Sequence, residues 1–152
     1  MSDLTRACVR SLVATLLIAT SALLSACLQS TAPMPSVLQL NGSWSYTGVQ
    51  TAPVRENLTG TLTISRESGT SFQGELALVG VNAQTGLNRT FSGLVSGSAP
   101  GSNVIDFDAS VETTPRRHVG QIFADTITGT WVGSAPDGTM SSGTFRVERV
   151  TR

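Results

Sequence analysis

The sequence predicts an all-β fold: an eight-stranded antiparallel up-and-down β-barrel, preceded by a signal-peptide helix and a short tether. Three observations predict it. From about Leu38 onward, apolar residues alternate with polar ones at period two, the pattern of strands with one dry face. Within that alternation a small unit recurs: apolar residue, spacer, Gly, spacer, apolar residue. The gaps between alternating runs are short and rich in turn residues, whereas parallel pairing needs long crossovers. The composition agrees. The 152 residues are 39% hydrophobic with 15 Gly, and ten Arg balance ten acids with no Lys. A formal net charge of zero argues against charge-driven disorder and against a nucleic-acid partner. Two cysteines exclude a disulfide-dense mini-protein.

The first segment is residues 1–26. Arg6 and Arg10 form a positive n-region, and Leu12 to Leu24 is an apolar run. A membrane-spanning helix needs about 20 apolar residues, so this shorter run reads as a signal-peptide h-region. Leu24-Ser25-Ala26-Cys27 resembles the lipobox of bacterial lipoproteins. The resemblance implies that signal peptidase II recognises Leu24, Ser25 and Ala26 and cuts before Cys27, whose sulfur carries a diacylglyceryl group. It also implies a lipid bilayer as partner. Two or more acyl chains give stable anchoring. Leu28, rather than Asp, after the lipidated Cys resembles the outer-membrane-sorted members. Cys8 would leave with the signal peptide, so the two cysteines are not a disulfide pair.

Residues 27–37 are the lipidated Cys and a Pro/Ser-rich tether. Pro33 and Pro35 favour extended chain, which spans about 3 Å per residue. Residues 38–152 form the single barrel domain. Its first strand carries Gly42-x-Trp44-x-Tyr46, and the second Leu58-x-Gly60-x-Leu62-x-Ile64. Arg66 to Gly69 turns the chain into Phe72-x-Gly74-x-Leu76-x-Leu78. Ala83 to Gly86 leads to Phe91-x-Gly93-x-Val95, and Ser98 to Gly101 to Ile105-x-Phe107-x-Ala109-x-Val111. Thr113-Thr114-Pro115 is the next expected turn, followed by a strand with Gly120-x-Ile122. Ala124-Asp125 is a very short connection to Ile127-x-Gly129-x-Trp131. Pro136-Asp137-Gly138 precedes the last strand, Gly143-x-Phe145-x-Val147. An even strand count lets the first strand pair with the last, which removes both edges. Glycines on the inward side permit the bends and close backbone approaches of a small barrel.

Gly42-Ser43-Trp44 on the first strand, with Arg149 near the end of the last, resembles the calycin superfamily of lipocalins, fatty-acid-binding proteins, avidins and bacterial metalloprotease inhibitors. The resemblance implies that Trp44 packs across the closed end of the barrel beneath an Arg from the last strand. Arg149 is the first choice for that role, with Arg146 and Arg152 as competitors.

Little catalytic chemistry is legible. His118 is the only histidine, and it follows Arg116 and Arg117, which disfavour its protonated form. It reads as a solvated strand residue. Asp106, Asp108 and Glu112 lack the Gly-containing loop of an EF-hand. The expectation is cross-strand pairing of these acids with Arg116 and Arg117. No metal, cofactor or enzymatic activity is expected. The reading is a non-enzymatic, lipid-anchored envelope protein, at the outer membrane facing the periplasm, serving as a structural or interaction module for an envelope protein. The first alternative is a calycin-like binder of a small apolar ligand. The second is a lipidated inhibitor of a protease or lysozyme.

Overall fold

Alternation in the sequence becomes alternation in burial. The computed structural model describes residues 39–101, 103–135 and 137–151. The expected signal-peptide helix, Leu24 to Cys27 and the tether lie outside the described residues. Eight strands follow one another: β1 (Gly42–Ala52), β2 (Glu56–Ser68), β3 (Ser71–Asn82), β4 (Asn88–Ser98), β5 (Val104–Val111), β6 (Thr114–Phe123), β7 (Thr126–Ser134) and β8 (Met140–Arg149). Each pairs antiparallel with the next, and β8 pairs with β1, so the sheet closes into a barrel. Val37–Arg152 is one compact unit.

Every apolar residue that the alternation turns inward, from Trp44 to Val147, is buried. Two glycines show how tightly the strands approach. A Cβ at Gly93 would sit 1.9 Å from the Ser110 carbonyl oxygen, and one at Gly129 would sit 2.1 Å from that of Val119. Any side chain there must push two strands apart.

The middle of the barrel is filled by rings. His118 stacks on Phe107 with centroids 4.5 Å apart and meets Phe145 edge-on at 5.2 Å. Tyr46 stacks on Phe145 at 6.0 Å, and Trp131 lies 6.1 Å from His118. Eight strands leave room for side chains or for one small ligand, and here aromatic side chains occupy the midsection.

One connection departs from expectation. The β5–β6 turn is Glu112-Thr113, not Thr113 to Pro115, and both residues have positive φ, 51° and 70°. Two-residue hairpins favour this mirror-image turn because its twist matches the strands, and Gly is the residue that adopts it without strain. Replacing Thr113 with Gly should therefore raise stability by about 0.5–1 kcal/mol, read as a higher denaturation midpoint at unchanged slope.

The ladder is uneven. Between β4 and β5 the register runs only from Val95↔Ala109 to Ser98↔Asp106. The first half of β4 has no register partner on β5. This seam lies at the barrel end formed by the β1–β2, β3–β4, β5–β6 and β7–β8 connections.

Candidate functional site

The two barrel ends differ in chemistry. At the end where β1 begins, Trp44 is fully buried and Arg149, its register partner on β8, lies over its ring at 4.2 Å. The indole Nε1 donates to the Leu40 carbonyl at 2.9 Å. Arg149 donates to the Asn41 carbonyl at 3.0 Å, to the Gln39 carbonyl, and to Asp125 at 2.9 Å. Gly42, at φ +129°, leaves its Cβ position 3.5 Å from the Arg149 guanidinium. Gly42, Trp44 and Arg149 thus meet at one sealed end. Arg146 points outward to Glu148, and Arg152 lies outside the described residues.

The opposite end is polar, and its residues come from strand positions beyond the apolar runs. Glu56 on β2 is buried and accepts from Arg89 on β4 at 2.6 Å. Arg89 also bridges to Glu112 in the β5–β6 turn at 3.0 Å, across the β4–β5 seam. Glu112 in turn accepts from Arg116 on β6 at 3.2 Å. Two acids and two guanidiniums form a continuous, charge-balanced chain. Arg89 and Arg116 flank the Phe91 ring at 5.0 and 5.2 Å, and Arg116 also lies 5.0 Å from the Trp131 ring. Cation–π contacts of this kind offset part of the cost of burying the guanidiniums.

At this end four buried polar atoms have no hydrogen-bond partner on the described protein: Arg116 Nε, Trp131 Nε1, Gln50 Oε1 and Ser141 Oγ. Their residues are 1–3% exposed. They share one wall. Arg116 and Ser141 both register with Gly133, and Trp131 and Gln50 both register with Gly143. A Cβ at Gly143 would touch Trp131 Nε1 at 2.7 Å, and one at Gly133 would meet Arg116 at 2.9 Å. The two glycines make room for the large side chains beside them. Buried polar groups are ordinarily satisfied, so four unsatisfied ones on adjacent strands form an unusual concentration.

One sequence-based expectation is corrected here, and the expected pairing of acids with Arg116 and Arg117 is found in part. His118 is not solvated: it is 2% exposed inside the aromatic belt, with Nδ1 2.9 Å from the Arg116 carbonyl and Nε2 3.5 Å from the Tyr46 hydroxyl. Arg116 makes its expected pair with Glu112 but faces inward. Arg117 alone meets Asp106 on the outside, at 2.5 Å. Glu112 pairs with Arg116 as expected, and Arg89, which the sequence reading did not include, joins them. The physical reason is parity. Ile122 and Gly120 face inward, so His118 and Arg116 do as well. The same step places Glu56 two residues before Leu58, Arg89 two before Phe91 and Ser141 two before Gly143. Period two carried past the last apolar residue would have found the site. Among the described residues no cluster of His, Cys, Asp and Glu could hold a metal ion.

Burial sets the protonation of the belt. Desolvation, with the nearby Arg116 charge, lowers the His118 pKa from 6.5 to about 4 against an opposing hydrogen bond to the Arg116 backbone. Desolvation pushes the Tyr46 phenol well above its ordinary value. The folded value of His118 lies below its unfolded value. Its neutral form therefore contributes stability that is intact above about pH 6.5 and lost as pH falls toward 4. The loss should total roughly 3 kcal/mol at most. Melting temperatures between pH 7 and 4 should show it, and His118→Phe should flatten that part of the profile.

No protein-family model matches the chain, and no curated protein matches it. Several solved structures with similar folds are designed or redesigned β-barrels. The structure of EF1p2_mFAP2b bound to DFHBI aligns over 73% of this chain and 94% of its own, with TM-score 0.59 at 12% identity. A de novo designed fluorescence-activating β-barrel aligns over 77% and 99%, with TM-score 0.53 at 15% identity. The redesigned β-barrel b11L5F_LGL aligns over 74% and 92%, with TM-score 0.54 at 16% identity. At these identities the likeness is one of fold.

Proposed function

We propose that this chain is a lipid-anchored, non-catalytic module of the bacterial envelope whose barrel binds a small molecule at its polar end. The observation that carries the reading is the group of four buried, unpaired polar atoms on one wall of that end. Leaving such groups unpaired costs about 1–3 kcal/mol each, which a ligand's complementary groups would recover. A similar barrel, EF1p2_mFAP2b, holds DFHBI, which supports a barrel of this fold as a small-molecule binder. The calycin-like meeting of Gly42, Trp44 and Arg149 supports it too. The site's polarity extends the expected apolar ligand to one that also bears a polar group. His118 supports binding over catalysis, because it is stacked in the belt and engaged by a backbone carbonyl.

The anchor rests on Leu24-Ser25-Ala26-Cys27, and outer-membrane placement on Leu28. Label from a palmitate analogue should be lost in Cys27→Ser; retained label would remove the anchor. Native mass spectrometry of the detergent-solubilised protein should show a bound small molecule that Arg116→Met loses, whereas an unliganded mass for both would overturn the binder reading. A second reading, an interaction module for an envelope protein, is favoured by outward Leu94, Phe123 and Met140, all well exposed. A stable complex broken by Leu94→Ser would support it.

A further inference from the structure

The polar end has a chemistry that narrows what it can take. Of the four unpaired atoms, Arg116 Nε and Trp131 Nε1 can only donate, and their planar groups are close, with the guanidinium carbon 5.0 Å from the indole. Two donors on adjacent strands, one of them cationic, call for an acceptor oxygen with negative charge. Arg116 is 2% exposed, and among the described residues Glu112 is the one carboxylate within ion-pair distance of it. Glu112 also serves Arg89, is partly exposed, and sits in the strained turn at positive φ. It is thus the most readily displaced member of the chain of charges. Arg89 keeps Glu56 when Glu112 moves away. Arg116 would be left without a counter-charge in a buried site, a costly state unless another carboxylate takes the place. The β4–β5 register stops at Val95↔Ala109, and beyond it the Arg89–Glu112 ion pair spans the seam. Phe91 and Trp131 flank Arg116 and offer flat apolar faces for the rest of a ligand.

We propose that the polar end binds a small carboxylate carrying a flat apolar group, which replaces Glu112 at Arg116 and receives hydrogen bonds from Arg116 Nε and Trp131 Nε1. This rests on the binder reading above and names its ligand class. Binding is an exchange of one carboxylate for another, with the Arg89–Glu112 contact opening to admit the ligand.

The test uses the full chain in detergent micelles, with benzoate as probe and benzamide as its uncharged isostere. The two indole N–H resonances report separately, since Trp131 lies at the site and Trp44 at the sealed end. Benzoate should shift the Trp131 signal and leave Trp44 in place, while benzamide shifts neither. Arg116→Met, which keeps an unbranched stem and removes the guanidinium, should weaken benzoate by tenfold or more, the expected loss of a charge-assisted hydrogen bond being about 1.5–3 kcal/mol. Glu112→Gln removes the competing carboxylate and should tighten benzoate severalfold. Equal shifts of Trp131 by benzamide would overturn the carboxylate assignment while leaving a small-molecule site. A Trp131 signal that neither probe moves, or a benzoate shift that survives Arg116→Met, would overturn the proposal. In the first of those cases the native mass measurement decides separately whether the binder reading stands.

Discussion

Trp44→Ala should cost about 3–5 kcal/mol, the range for removing a large aromatic side chain from a packed core. Trp44 is fully buried, donates to the Leu40 carbonyl and lies under Arg149. Its removal opens a cavity at the sealed end and strips Arg149 of its ring contact. It also frees Leu40, whose carbonyl loses its donor. Domains of this size have about 5–15 kcal/mol in total, so the variant stands near the limit of folding. Urea denaturation should show a large fall in midpoint at similar slope. Arg149→Ala should cost less, about 1–2 kcal/mol, because it deletes a partly exposed cation–π contact and leaves the core volume filled. An unchanged midpoint for Trp44→Ala would remove the ring from the core.

Glu112→Ala should cost about 2–4 kcal/mol. It leaves Arg116 as a buried charge with no carboxylate beside it, and breaking one side of a buried pair is more damaging than removing the pair. Glu112 is partly exposed, which places the effect below the fully buried case. Arg116→Met should be near neutral or stabilising, since it removes the charge, the unsatisfied Nε–H and the desolvation burden together. The two variants separate electrostatics from packing. If Arg116→Met were as damaging as Glu112→Ala, the guanidinium would be holding the barrel by shape and contact rather than straining it by charge.

The fold was legible because a barrel core needs period two, and the apolar residues of Trp44, Phe72, Phe107 and Val147 keep it without interruption. Short connections completed the picture, since Ala124-Asp125 leaves no room for anything but a hairpin. The polar end was less legible. At Glu56, Arg89, Arg116 and His118 the inward positions carry residues that ordinarily face water, so residue type and parity disagree there. Parity prevails because backbone geometry forces alternate side chains to opposite faces whatever their chemistry. A charged residue one step beyond an apolar run is then compelled to enter the barrel mouth, and it finds neighbours in the same position on adjacent strands. Which acids answer which arginines depended on the closing order of the strands. It depended also on the turn at Glu112, where the expected break fell one residue too late.

The central claim is that the polar end is a ligand site and the sealed end is structural. A crystal structure of the protein purified from its own membrane tests this most directly. The expected result is a bound small molecule with an oxygen within hydrogen-bond distance of Arg116 Nε and Trp131 Nε1, and an undisturbed Trp44–Arg149 stack. Arg116 Nε, Trp131 Nε1, Gln50 Oε1 and Ser141 Oγ bonded only to protein or to ordered water would contradict it.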